Sequence, residues 1–153
     1  MTLGVRIADR YVGCLLGLAC GDAVGTTLEF THRASLTPIS DMVGGGPFAL
    51  KPGQWTDDTS MALCLGESLL TCNGFDARDQ MARYLNWWQW GYWSATGECF
   101  DIGMTVRQAL STFQENGKQG IPAHWLERLH QRADIEEMAL ALFRAAQGRA
   151  TPV

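Results

Sequence analysis

The sequence predicts an all-α domain on two observations. Six segments place apolar residues at helical spacing, and no stretch alternates apolar and polar residues with period two for long enough to make a strand. The first helix follows from Val12, Leu15, Leu16, Ala19 and Ala23, which share one face. The second follows from Met61, Cys64, Leu65, Leu69 and Cys72, and the third from Met81, Tyr84, Leu85, Trp88 and Tyr92. Val106, Ala109, Leu110 and Phe113 make the fourth. A short fifth helix begins with Pro122 in its first turn and carries Trp125, Leu126 and Leu129, and a longer sixth carries Ile135, Met138, Ala139, Leu142 and Phe143.

Glycines punctuate the connections at Gly44-Gly45-Gly46-Pro47, Lys51-Pro52-Gly53, Gly91, Gly97, Gly103, Gly117 and Gly120. Residues 30–55 make the one long irregular segment, and a loop of that length inside a compact domain is usually functional or mobile. The tail from Gly148 to Val153 is expected to fray.

The chain of 153 residues carries 12 basic and 16 acidic residues, a net charge of -4. That balance excludes recognition of nucleic acid or an anionic membrane through bulk charge, so any phosphate has to be held by local geometry. No run of about 18 uncharged apolar residues occurs, and Met1 to Arg10 lacks the pattern of a signal peptide, so a cytoplasmic protein is expected. Five cysteines, none in a C-x-x-C pair, read as reduced core residues. His32, His124 and His130 are scattered and suggest neither a base nor a ligand.

Chemistry concentrates in three acidic places. In Gly53-Gln54-Trp55-Thr56-Asp57-Asp58-Thr59-Ser60-Met61 a glycine-containing loop runs into an apolar-striped helix. One reading is a capped helix start, with Thr56 as N-cap and the two aspartates against the positive end of the helix dipole. The other is a hard-cation site, because a hydroxyl beside two carboxylates offers the oxygen ligands that Mg²⁺ or Mn²⁺ prefers. Asp22 and Glu29 form a second pair at the end of the first helix, where Asp22 suits a neighbouring helix terminus and Glu29 a solvated loop. Asp101, in Phe100-Asp101-Ile102-Gly103-Met104-Thr105, is the third; there Asp101 or Thr105 suits an N-cap. The cluster Trp87-Trp88-Gln89-Trp90-Gly91-Tyr92-Trp93 reads as core packing, with a base-stacking platform as the rival.

Taken together, Gly13-Cys14-Leu15-Leu16-Gly17-Leu18-Ala19-Cys20-Gly21-Asp22-Ala23-Val24-Gly25, then Thr56-Asp57-Asp58-Thr59-Ser60-Met61, then Phe100-Asp101-Ile102-Gly103 resemble the ADP-ribosylglycohydrolase family in wording and order. The resemblance implies an orthogonally packed helical fold. It also implies a two-Mg²⁺ or two-Mn²⁺ centre that removes ADP-ribose from a modified protein or small acceptor. By the same resemblance Thr56, Asp57 and Asp58 match the first metal motif, with Asp57 and Asp58 central to catalysis. Glu29 matches the acidic gate over the substrate, and Asp101 the aspartate that approaches the ribose. Gly44, Gly45 and Gly46 would lie near the diphosphate, where absent Cβ atoms let backbone N–H groups approach.

The chain departs from that pattern after Asp101. The family's late Asp-x-Asp-Thr metal motif is missing, since no Asp-x-Asp occurs, as is its mid-chain Asn-Gly-x-x-Met-Arg segment. Gly120-Ile121-Pro122-Ala123-His124-Trp125 and Ile135-Glu136-Glu137-Met138-Ala139 nonetheless resemble the family's last two helices. The expected organisation is therefore an N-terminal family part over 1–117, C-terminal helices over 118–147 and a tail over 148–153, joined by an internal deletion near Gly117. At most a partial metal site is then encoded, with impaired hydrolysis and self-association through uncovered apolar faces as consequences. The alternative is a catalytically inactive helical fragment that binds ADP-ribose or assembles with a partner.

Overall fold

In a computed structural model, residues 6–116 and the helical positions Ile135, Met138, Leu140, Ala141 and Arg144 are described. Four α-helices and two 3₁₀ turns account for the regular structure among them: α1 (Ile7–Gly25), η1 (Thr26–Leu28), η2 (Arg33–Ser35), α2 (Asp57–Thr71), α3 (Ala77–Trp90) and α4 (Met104–Glu115). These match the first four expected helices, and there is no strand among the described residues, only an isolated bridge between Gly45 and Leu50. The fifth expected helix, the join near Gly117 and the tail lie outside the described residues.

Each helix has a local reason for its ends. Asp9 closes the start of α1, its carboxylate accepting the Arg6 backbone N–H at 3.2 Å and the Arg6 guanidinium at 3.0 Å. Asp76 caps α3 by accepting from the N–H groups of Arg78 (2.9 Å) and Asp79 (3.0 Å). Gly91 ends α3 in the left-handed conformation at φ 68°, where any Cβ would collide with the Gly97 carbonyl. That collision fixes glycine at the position and folds the 91–98 turn tightly against the helix end.

Helix α2 is central, packing against both α1 and α3, while α4 packs on α3. Its neighbouring residues Leu63 and Cys64 serve two different clusters. Leu63 meets Ala19, Ile135 and Met138, with Leu15, Trp55, Leu70 and Trp93 around them. Cys64 meets Trp87 and Tyr92, with Met61, Tyr84, Trp88 and Val106 at the edge. Because Trp93 touches both clusters, the turn after α3 closes the core on two sides.

Several expectations change. Among the cysteines only Cys64 is buried; Cys14, Cys20 and Cys72 are exposed and Cys99 is half-buried, and all are free. The tryptophan cluster divides because consecutive positions point around the helix: Trp87 is buried, whereas Trp90 is 59% exposed. On α1 only Ala19 and Ala23 are buried, and Leu16, assigned above to the inner stripe, is exposed together with Ile7, Tyr11 and Leu18. The stretch Ile7–Leu28 is, by length and a mean hydropathy of 1.4, apolar enough to cross a membrane, a property hidden from a search for uncharged runs because Asp22 interrupts it.

Candidate active site

The N-terminus of α2 is built around a residue from another helix. Thr56 occupies the N-cap position with Asp57 and Asp58 in the first turn, as the capping reading expects, yet its hydroxyl makes no cap bond to its own helix. It donates instead to Asp22 Oδ1 of α1 at 2.7 Å, and the Thr56 backbone N–H lies 3.1 Å from both carboxylate oxygens. Thr59 adds its N–H at 3.1 Å and its hydroxyl at 2.6 Å to Asp22 Oδ2. Asp22 therefore caps α2 from outside, satisfying helix-start donors that otherwise lack partners, as one reading of its sequence position anticipated. Donation to Asp22 spends the Thr56 hydroxyl proton and leaves the oxygen's lone pairs unspent.

Glu29 and Asp101 meet through their neighbours. Phe30 follows Glu29, Phe100 precedes Asp101, and both rings pack on Phe48 of the long loop, with centroids 6.3 Å and 5.3 Å away. The loop itself is held against η1 by the Thr27 hydroxyl, which donates to the Gly44 carbonyl at 3.1 Å. Gly46 approaches η1 so closely that a Cβ would stand 2.7 Å from the Thr26 carbonyl oxygen. Gly44, Gly45 and Gly46 all have positive φ, at 67°, 80° and 66°, and Gly45 N–H donates to Leu50 O at 2.7 Å. What these glycines visibly serve is the close seating of the loop, and the Gly45 N–H is spent within it rather than presented to a diphosphate.

Asp101 is not the cap of α4, and neither is Thr105: the N-cap is Gly103, with no side-chain cap bond. Asp101 sits instead in the left-handed region at φ 53°, a conformation sustained only where surrounding contacts determine it.

The result is a group of carboxylates that act on one another. Burial, then the Asp101 charge and a hydrogen bond with it, then Asp57 and Asp22, push Glu29 up to about 7. Burial, then the charges of Asp101 and Asp58, push Asp57 up to about 6, against the pull of its own backbone N–H. Asp101 is raised by burial and by Asp22 and Asp58, while its hydrogen bond with Glu29 opposes the rise. Glu29 and Asp101 thus titrate as an interacting pair, both raised. The half-buried Cys99 beside them is pushed up to about 11, by burial first and by Asp57 second.

No Lys or Arg figures among the causes of the Glu29, Asp57 and Asp101 shifts, and Glu29 Oε2 is buried without a hydrogen-bond partner. An open cleft of about 380 Å³ lies beside this group, lined by Gly17, Gly21, Asp22, Thr26, Glu29 and Asp58, among others. Among the described residues, no three His, Cys, Asp or Glu side chains stand close enough to chelate a metal ion directly. The carboxylates are thus near enough to perturb one another and too far apart for a shared inner shell.

Of the residues selected from sequence, Glu29, Asp57, Asp58 and Asp101 are brought into mutual influence, with Thr56 beside them and Gly44 to Gly46 in the adjoining loop. Sequence reading left Asp22 out of the site. The signal for it was the pair of hydroxyls at Thr56 and Thr59, three residues apart at a helix start, which calls for an acceptor.

A helical domain with an acidic cleft at the junction of three helices and a glycine-rich loop is the class that fold and site define. The sequence profile of ADP-ribosylglycohydrolases matches residues 4–119, and the chain belongs to that family. It is 45% identical over 136 residues to the ADP-ribosylarginine hydrolase Tri1 of Serratia proteamaculans, covering 89% of this chain and 37% of that protein. It is 35% identical over 123 residues to the ADP-ribosyl-[dinitrogen reductase] glycohydrolase of Rhodospirillum rubrum, covering 78% of this chain and 40% of that protein. A solved ADP-ribosylglycohydrolase-related protein complex superimposes with a TM-score of 0.59 at 38% identity, over 90% of this chain and 49% of that one. The chain thus spans about two fifths of these two curated relatives.

Proposed function

We propose that this chain carries the acidic part of an ADP-ribosyl hydrolase site, acting on an ADP-ribosylated protein or a small ADP-ribosylated acceptor. The observation that supports it most is the meeting of Glu29, Asp57 and Asp101, from three distant segments, with no basic side chain among the causes of their shifts. Carboxylates raised by one another and by burial are a standing demand for positive charge.

In this reading Thr56, Asp57 and Asp58 hold a divalent cation, Mg²⁺ or Mn²⁺, and the unspent lone pairs of the Thr56 hydroxyl fit that role. Bound there, such an ion supplies charge neutralisation and water activation. Asp101 orients the ribose through its hydroxyls. Glu29, balanced near 7, holds a proton beside Asp101 and can give it up at neutral pH, as acid–base work at a glycosidic bond requires. Asp22 aligns the start of α2 and with it both aspartates. The acidic residues named here make up this part of the site, and the family's second metal motif has no match among these 153 residues.

Calorimetric titration with Mn²⁺, run beside an assay for ADP-ribose released from an ADP-ribosylated protein, tests this directly. Cation-dependent release that disappears in Asp57→Ala/Asp58→Ala supports it, and release that persists in that variant overturns it. A second reading is ADP-ribose binding without cleavage in the same open cleft. Saturable heat with ADP-ribose and no product would select it.

A further inference from the structure

The core between α2 and α3 holds charged side chains that the cleft chemistry does not use. Glu67, 8% exposed, accepts from the Tyr92 hydroxyl and from Trp93 Nε1 at 2.8 Å, and forms an ion pair with Arg83 Nη1 at 3.0 Å. Arg83 is fully buried and donates through Nε to Asp79 at 2.6 Å. An ion pair in a helical core needs no tryptophan partner, yet Trp93 turns its indole N–H to Glu67 from a backbone at φ 62°. For a bulky residue that conformation is an outlier, sustained only when contacts on both sides determine it.

The other side of Trp93 shows what the conformation achieves. Its carbonyl accepts Trp55 Nε1 at 3.2 Å, and two residues on the Ala95 carbonyl accepts Gln54 Nε2 at 3.1 Å. Trp55 immediately precedes Thr56, Asp57 and Asp58, and the 91–98 turn runs on through Cys99 and Phe100 into Asp101. One turn therefore fixes the approach to both acidic segments.

We infer that Glu67 is a positioning residue for the acidic site: by holding the Trp93 indole it aims the Trp93 carbonyl at Trp55, and Trp55 sets how Thr56, Asp57 and Asp58 enter α2. The relay stands on geometry alone, and it rests on the proposed function only for what Asp57 and Asp58 do with their placement. Glu67 touches neither cation nor substrate, so its contribution is transmitted, as outer partners of metal ligands transmit theirs.

The test compares Glu67→Gln, Trp55→Phe, their double variant and Asp79→Asn, by calorimetric titration with Mn²⁺ and by hydrogen exchange of the Trp55 indole N–H in NMR. Glu67→Gln and Trp55→Phe should each weaken Mn²⁺ binding about tenfold, with the double variant no weaker than either, because both cut one relay. Asp79→Asn disturbs the same Arg83 without touching Trp93, so it should lower the thermal midpoint while leaving Mn²⁺ affinity within about twofold. Equal weakening by Asp79→Asn, or additive loss in the double variant, overturns the inference. Should Glu67→Gln fail to fold, Trp93→Phe removes the relay and leaves the Glu67–Arg83 pair intact. If the wild-type chain takes up no Mn²⁺, the proposed function fails and the relay is judged on exchange alone. Faster Trp55 indole exchange in Glu67→Gln but not in Asp79→Asn then supports it, and an unchanged rate overturns it.

Discussion

Two groups of carboxylates lie on or against α2, ten residues apart and so about 15 Å along its axis by helical rise, and they are held in contrary ways. Glu67 is buried and Asp79 half-buried, with the Arg83 guanidinium between them; burial raises Asp79, yet the hydrogen bonds from Arg83 and Ser68 outweigh that and leave it below the ordinary carboxylate range. Glu29, Asp57 and Asp101 are raised above that range, with no basic group among the causes and one oxygen left without a partner. Among the described residues Arg83 meets a buried acid at one end of the helix, and no Lys or Arg figures among the causes of the shifts at the other. Acidity without a counter-charge is thus a property of the cleft, not of the protein's general way of burying acids, and it is the cleft that borders open space.

The sharpest way to break this contrast is to remove the counter-charge where it exists. Arg83→Met leaves Glu67 buried, and the half-buried Asp79, without a cation and should cost about 3 kcal/mol in urea unfolding; a loss below about 1 kcal/mol would mean that the core pairing matters no more than a surface ion pair. Next comes the hinge between the two regions. Asp22→Ala removes the acceptor for four donors at the α2 start and should cost about 2 kcal/mol, with the fraying read by amide exchange at Asp57 to Ser60.

A smaller effect follows from supplying the missing charge. Divalent cation at ten times its dissociation constant should add about 1.4 kcal/mol, visible as a rise in thermal midpoint that Asp57→Asn/Asp58→Asn abolishes. The smallest effect is in pH. Glu29 and Asp57 have folded-state values raised to about 7 and about 6, so their contribution to stability is complete below the unfolded carboxylate range and is lost as pH rises through 6 to 7. Without cation, the thermal midpoint should therefore fall between pH 5 and 8, and Glu29→Gln should flatten the fall while changing stability at pH 5 by less than about 0.5 kcal/mol. A midpoint that rises over that interval would mean the cleft is compensated by a positive group after all.

Much of the helical architecture was legible locally. The spacing of Met61, Cys64, Leu65 and Leu69 and of Met81, Tyr84, Leu85 and Trp88 places α2 and α3 correctly, because amphipathic periodicity is a property of contiguous residues. The acidic positions were legible as candidates and not as a group. Thr56 looked like a cap and donates outward, Asp101 looked like a cap and caps nothing, and three of the five cysteines assigned to the core are exposed. In each case the deciding partner lies far away in sequence, 34 residues for Thr56 and Asp22, so a local preference has no hold on it.

From the sequence by itself come the helical class, the start of α2 after Thr56, the acidic residue types at Glu29, Asp57, Asp58 and Asp101, and the absence of an Asp-x-Asp pair. These follow from propensity, periodicity and composition, which act over a few residues. Only the tertiary structure decides that Asp22 caps α2, that Phe48 brings Glu29 to Asp101, and that Arg83 meets the core acids while, among the described residues, the cleft acids are raised by one another and by burial. Those outcomes depend on burial and on charges meeting across the fold, and the energy of a carboxylate is set by what surrounds it rather than by what precedes it in the chain.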